Sequence, residues 1–196
     1  MNLLFNRTQF DLSAGGVNPL ICGEENYSIL VIGYGNTLRS DDGVGQWVAA
    51  EVEGWELQNV RSLPVHQLTP ELAELLASAS SVIFVDAYPA SEDALVEVCP
   101  LEPVDSNNFS LGHMSNPRSL LALTQAVYGC TPQAWLVAIP AVNFQLGERF
   151  SPKVQQGLAV ALDKIRRLLG EVFERSDGKE DNRLVRQSSY KGFNHL

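Results

Sequence analysis

Residues 28–45 read SILVIGYGNTLRSDDGVG. The first part, SILVIG, is a continuous apolar run rich in β-branched residues and closed by a glycine. Such a run is the mark of a strand covered on both faces, so it belongs at the centre of a sheet. After the aspartate pair comes VGQWVAAEVEGW, in which Val44, Trp47, Val48 and Val52 recur at helical spacing, and Asp41 or Asp42 stands where a helix cap belongs. A strand leaving through a glycine turn into a helix is the opening of an alternating α/β chain.

The rest of the chain repeats the alternation. A second strand is expected at residues 59–64, followed by LTPELAELLASA, a helix with Thr69 as cap, Pro70 in its first position and Leu72, Leu75 and Leu76 as its stripe. SVIFVDAY, residues 81–88, is a second buried run that ends in an acid, and a shorter strand is expected at 94–99. Residues 100–117 hold turn residues and prolines with little periodicity, a loop long enough to carry function. SLLALTQAVYG is a helix, AWLVAIPA a buried strand, and residues 151–169 a last amphipathic helix. Strands alternating with helices imply a three-layer α/β sandwich, a twisted and mostly parallel five-stranded sheet with helices on both faces. The expected organisation is an N-terminal extension over 1–27, one α/β domain over 28–170, and a polar, mobile tail over 171–196.

Composition narrows the function classes. A chain of 196 residues, 45% apolar, buries a single core, and a net charge of −9 argues against nucleic acid as partner. Lys164, Arg166 and Arg167 cluster only near the expected end of the last helix, where cations offset its dipole. Cys22, Cys99 and Cys130 have no C-x-x-C spacing and read as structural thiols of a reducing compartment. The first sixteen residues are too polar for a signal-peptide core, and no run nears the ~20 apolar residues of a membrane helix. A soluble, cytoplasmic protein is expected, with no membrane partner.

In an open α/β sheet ligands bind beyond the carboxyl ends of the strands. The loop at 33–45 is therefore the first candidate site. A dinucleotide fingerprint would need a third glycine where Leu38 stands, and a phosphate loop would need Gly-Lys-Ser/Thr, which is absent. Two carboxylates at the helix mouth would also repel a phosphate. A divalent metal suits the residues better: Asp42 opens a helix, Asp86 ends a strand, and His113 offers an imidazole from the long loop. Taken singly, each has an ordinary reading, as a helix cap, a polar strand terminator and a surface histidine. Their joint position at one sheet edge favours the metal.

These residues carry a resemblance. The string G-x-G-N-x-L-x-x-D-D-G-x-G at residues 33–45, with VIFVDA at 82–87 and a histidine in a loop before a helix, resembles the maturation endopeptidases of nickel-iron hydrogenases. VHQLTPELAE, residues 65–74, is similar to the branch serving bidirectional, NAD-coupled hydrogenases. The resemblance spans about residues 28–170. It implies a peptidase that removes a carboxyl-terminal extension from the hydrogenase large-subunit precursor after nickel insertion, with the nickel carried by the substrate serving for recognition. It further implies Asp42, Asp86 and His113 as nickel contacts, Asp42 and Asp86 as catalytic acids, and Gly35, Asn36 and Asp41 as support. Many relatives carry an Asp-Gly-Gly-Thr-like turn after the second strand where this chain has LPVHQLT, so the role of that aspartate is either unfilled here or passes to His66 or Gln67. His66 is also the rival of His113 as ligand, and His195 lies in the tail.

No serine, cysteine or threonine is paired with a base, so hydrolysis would use water, activated by the metal or by a carboxylate. No tightly bound metal of its own is expected. A binding module that senses the metal-loaded large subunit without cutting it, and a nucleotide-binding α/β protein, remain as alternatives.

Overall fold

The computed structural model describes residues 29–91, 93–104 and 116–188, with side chains described as far as 174. The elements in chain order are β1 (Ile29–Tyr34), a 3-10 turn (Ser40–Gly43), α1 (Val44–Glu53), β2 (Val60–Val65), α2 (Leu72–Ser78), β3 (Ser81–Pro89), β4 (Glu97–Leu101), α3 (Pro117–Tyr128), β5 (Gln133–Ala141) and α4 (Pro152–Ser188). They form one five-stranded sheet in the order β2-β1-β3-β5-β4, parallel except for β4, which runs antiparallel to β5.

The apolar runs take the centre, as their composition requires. All six residues of β1 and the first five of β3 are buried. Alternate residues serve opposite faces. Ile29, Val31, Ile83, Val85, Val137 and Ile139 pack with Val48 and Val52 of α1 and with Val154, Ala161 and Ile165 of α4. Leu30, Ile32, Val82, Phe84 and Ala134 pack with Leu76 of α2 and with Leu120 and Leu121 of α3. The sheet thus lies between two helix layers, the expected sandwich.

β1 sits between β2 and β3, so the chain leaves it first to one side and then returns to the other. The switch point of the sheet is therefore between β1 and β3, where a parallel α/β sheet opens a crevice. Gly33 pairs with Val85. The next residues, Tyr34 and Asp86, consequently stand side by side at that opening.

Several local expectations are corrected. β3 does not end at Asp86 but pairs on with β5 to Pro89, so Asp86 marks the level at which β1 stops. β4 covers 97–101 rather than 94–99, taking Pro100 from the expected loop, since an antiparallel edge strand tolerates proline. α2 starts at Leu72, with Thr69 and Pro70 in a preceding turn whose carbonyls accept from Leu72 and Ala73. Trp47, placed on the apolar stripe of α1, is 41% exposed. α4 continues past Leu169 to Ser188. Its stripe runs on through Leu168, Leu169 and Val172, all buried, despite Gly170. Lys164, Arg166 and Arg167 are accordingly mid-helix: Arg167 pairs with Asp163 at 2.8 Å, and the Arg166 guanidinium lies 4.3 Å over the Trp55 ring. Cys99 is a free thiol, whereas Cys130, expected as a thiol, is disulfide-bonded. The residues at 1–28, including Cys22, and the tail at 189–196, including His195, lie outside the described residues.

Candidate functional site

The glycines of the loop bring α1 down onto the sheet. A Cβ on Gly45 would overlap the carbonyls of Tyr34 and Val85, so only glycine lets the first turn of α1 rest on β1 and β3. Gly35 has φ 131°, a conformation that side chains rarely adopt, and a Cβ there would overlap the Asp42 carbonyl. Its N–H donates to the His66 carbonyl at 3.3 Å, and its carbonyl accepts from Gln46 Nε2 at 2.6 Å. The loop is pinned from both sides.

Asn36 and Asp42 close it. The Asn36 N–H donates to Asp42 Oδ2 at 3.0 Å, while Asn36 Oδ1 accepts from the Leu38 N–H at 2.9 Å in an Asx turn. Asp42 is partly buried, and one of its oxygens is spent on this loop.

The adjacent acid has a different task. Asp41 is fully buried and caps no helix; it reaches across to the segment after β5. Its Oδ2 accepts from the Val142 and Asn143 N–H groups and the Ser151 hydroxyl, and its Oδ1 from the Ser151 N–H. Burial pushes its carboxyl up, but these hydrogen bonds to the charged form outweigh burial and hold it below the ordinary carboxylate range. The expectation that Asp41 or Asp42 caps α1 is thereby corrected: the N-cap is Gly43, with no side-chain bond. The same segment is tied again where Ser40 N–H donates to Gly147 O at 2.7 Å and Gly147 N–H to Leu38 O at 2.9 Å.

Asp86 stands at the switch point, near enough to Asp42 to feel its charge. Its carboxyl is raised to about 6, chiefly by burial and further by the Asp42 charge, against hydrogen bonds from the Tyr34 hydroxyl and the Ala87 N–H. Tyr34 is buried, and burial together with Asp86 holds its hydroxyl protonated far above the ordinary range, so it acts as a donor. Both side chains line a cavity of about 380 Å³ with Leu101, Leu136, Asn116, Pro117 and Arg118. The Asn116 side chain caps α3 by accepting from the Arg118 N–H at 2.9 Å. Two neighbouring acids, of which Asp86 has a raised pKa and lines the open cavity, form a set that can bind a cation or handle a proton.

Of the sequence candidates, the structure brings together Asp42, Asp86, Asn36 and Gly35 directly, with Asp41 behind them. His66 and Gln67 are exposed just beyond β2 at the same edge, and what His66 gives the loop is its main-chain carbonyl. His113 lies outside the described residues. Among the described residues no group of three His, Cys, Asp or Glu side chains could hold a metal ion. Sequence reasoning missed Tyr34; the signal available was a hydroxyl-bearing residue ending an otherwise aliphatic buried strand.

The architecture matches solved structures. The hydrogenase maturating endopeptidase HybD from E. coli superposes with a TM-score of 0.60 at 20% identity, covering 74% of this chain and 93% of that one. The chain has the fold of hydrogenase maturation endopeptidases. HybD from Thermococcus kodakarensis, a [NiFe] hydrogenase maturation protease, matches with a TM-score of 0.54 at 19% identity over 71% and 97% of the two chains. A hydrogenase 2 maturation peptidase from Thaumarchaeota archaeon SCGC_AB-539-E09 gives 0.52 at 22% over 72% and 97%. No family model and no curated protein matches the sequence. No helix among the described residues is long and apolar enough to cross a membrane.

Proposed function

We propose that this protein is an endopeptidase that removes the carboxyl-terminal extension of a nickel-iron hydrogenase large-subunit precursor after nickel insertion. One observation carries the reading: two carboxylates from separate segments, Asp42 and Asp86, meet at the switch point of a sheet shared with proteases of that kind. The shared fold and the glycine-asparagine-aspartate loop support the partner. The similarity of residues 65–74 to the branch acting on bidirectional, NAD-coupled hydrogenases extends the reading to that class.

The nickel belongs to the substrate. Asp42 and Asp86 offer it oxygen ligands, with His113 as the nitrogen donor, and the metal is the recognition element that brings the extension into the crevice. Water then adds to the scissile carbonyl, the carbon–nitrogen bond breaks, and the leaving amine takes a proton. A carboxylate at the site that is not engaged with the metal is suited to accept the water's proton and return it. The protein itself retains no tightly bound metal and works in the cytoplasm.

The test is the mass of the large subunit after incubation of nickel-loaded precursor with this protein or its Asp42→Ala variant. Shortening by the wild type and none by the variant is expected. Full processing by the variant removes Asp42 from the site, and a stable complex with unshortened precursor makes the protein a checkpoint module instead. Asp42→Asn separates charge from shape, because an amide oxygen still accepts from Asn36 while offering a metal no anionic ligand.

A further inference from the structure

We infer that Tyr34 is a positioning residue for the proposed site, its buried hydroxyl holding the Asp86 carboxylate in the orientation that faces the cavity. The inference rests on the reading that Asp86 contacts the substrate-borne nickel. Tyr34 is the last residue of β1 and Asp86 stands beside it on β3, at the one level where the two central strands part. The tyrosine is only 9% exposed, and the partner of its hydroxyl is Asp86. Both line the same cavity. Its ring belongs to the same buried apolar cluster as Ile32, Phe84 and Leu120. A rigid core ring thus carries a single polar group to the edge of the site. Asp42 is braced in a comparable way by the Asn36 N–H, while Asp86 accepts from the Ala87 N–H as well as from the Tyr34 hydroxyl, the one side-chain donor of the two. A carboxylate fixed through one oxygen loses less rotamer freedom when the other meets a ligand.

Tyr34→Phe removes the hydroxyl and keeps the ring. With nickel-loaded precursor, KM is expected to rise about tenfold while kcat changes by less than about threefold, the worth of a hydrogen bond to a charged group acting on recognition. A purely structural role would lower the fraction of folded enzyme, reducing kcat at constant KM together with the melting temperature, and that result overturns the inference; so does wild-type kinetics. A crystal structure of the variant reads the same relationship without activity. The Asp86 carboxylate is expected to leave its wild-type orientation; its retention there overturns the inference even if the protein cuts nothing. A wild-type protein that leaves nickel-loaded precursor intact overturns the proposed function alone, and the crystal structure then decides on Tyr34.

Discussion

Ser151 holds both oxygens of Asp41, its N–H donating to Oδ1 at 2.7 Å and its hydroxyl to Oδ2 at 2.8 Å. The pair links the loop after β1 to the start of α4 across the carboxyl edge of the sheet. With Val142 and Asn143 also donating, Asp41 is the knot that keeps two segments at a fixed distance from Asp42. Asp41→Asn turns an amide toward groups that are all donors, and should cost roughly 3 kcal/mol or more in urea unfolding. Ser151→Ala removes one donor and should cost about 1–2 kcal/mol.

Gly35→Ala should damage both stability and function. Alanine would have to hold φ 131° and overlap the Asp42 carbonyl, so a loss of about 2–4 kcal/mol is expected, with conversion of precursor falling further than stability because Asp42 moves. Thermal unfolding and the conversion rate, measured on the same preparation, separate the two effects.

Asp86 should be a costly residue for the fold. Its folded pKa, about 6, lies above its ordinary 3.8, so its contribution favours folding below that ordinary value and is lost as pH rises through about 6. Asp86→Asn is therefore expected to stabilise the protein at pH 8 by roughly 1–3 kcal/mol while abolishing conversion. The stabilisation should fade as pH falls from 6 to below 3.8, where the wild-type carboxyl is protonated both folded and unfolded. Asp41 has the opposite sign: its pKa is depressed, so its contribution is present above the ordinary carboxylate value and lost as pH falls through the folded one. Denaturant titrations at several pH values distinguish the two acids.

The same Asp86 pKa sets an acid limit for activity. Below about pH 6 the carboxyl takes up a proton and offers neither ligand nor base, so kcat/KM should fall by about tenfold per pH unit. A flat profile between pH 5 and 7.5 would remove Asp86 from the reaction.

The central strands, both helix layers and the acid-bearing edge were legible because continuous apolar runs and a dense loop motif are local signals. β4 starts three residues later than expected because EVCPL is an edge strand, mostly exposed or half-buried, whose position is set by pairing with β5 and not by its own pattern. Asp41 was expected as support, but its partners were hidden since they lie at 142–151, on the far side of the sequence. Tyr34 was hidden because only the register of β1 against β3 sets its hydroxyl beside Asp86. The end of α4 was misread at Gly170, where the packing of Ile165, Leu168 and Val172 outweighs the roughly 1 kcal/mol that a glycine costs inside a helix.

The most direct measurement compares nickel-loaded and nickel-free large-subunit precursor, each incubated with the wild-type protein and weighed by mass spectrometry. Loss of a carboxyl-terminal peptide from the nickel-loaded form alone is the predicted result. Equal shortening of the nickel-free form would contradict recognition through substrate-borne nickel, and no shortening of either would contradict the peptidase.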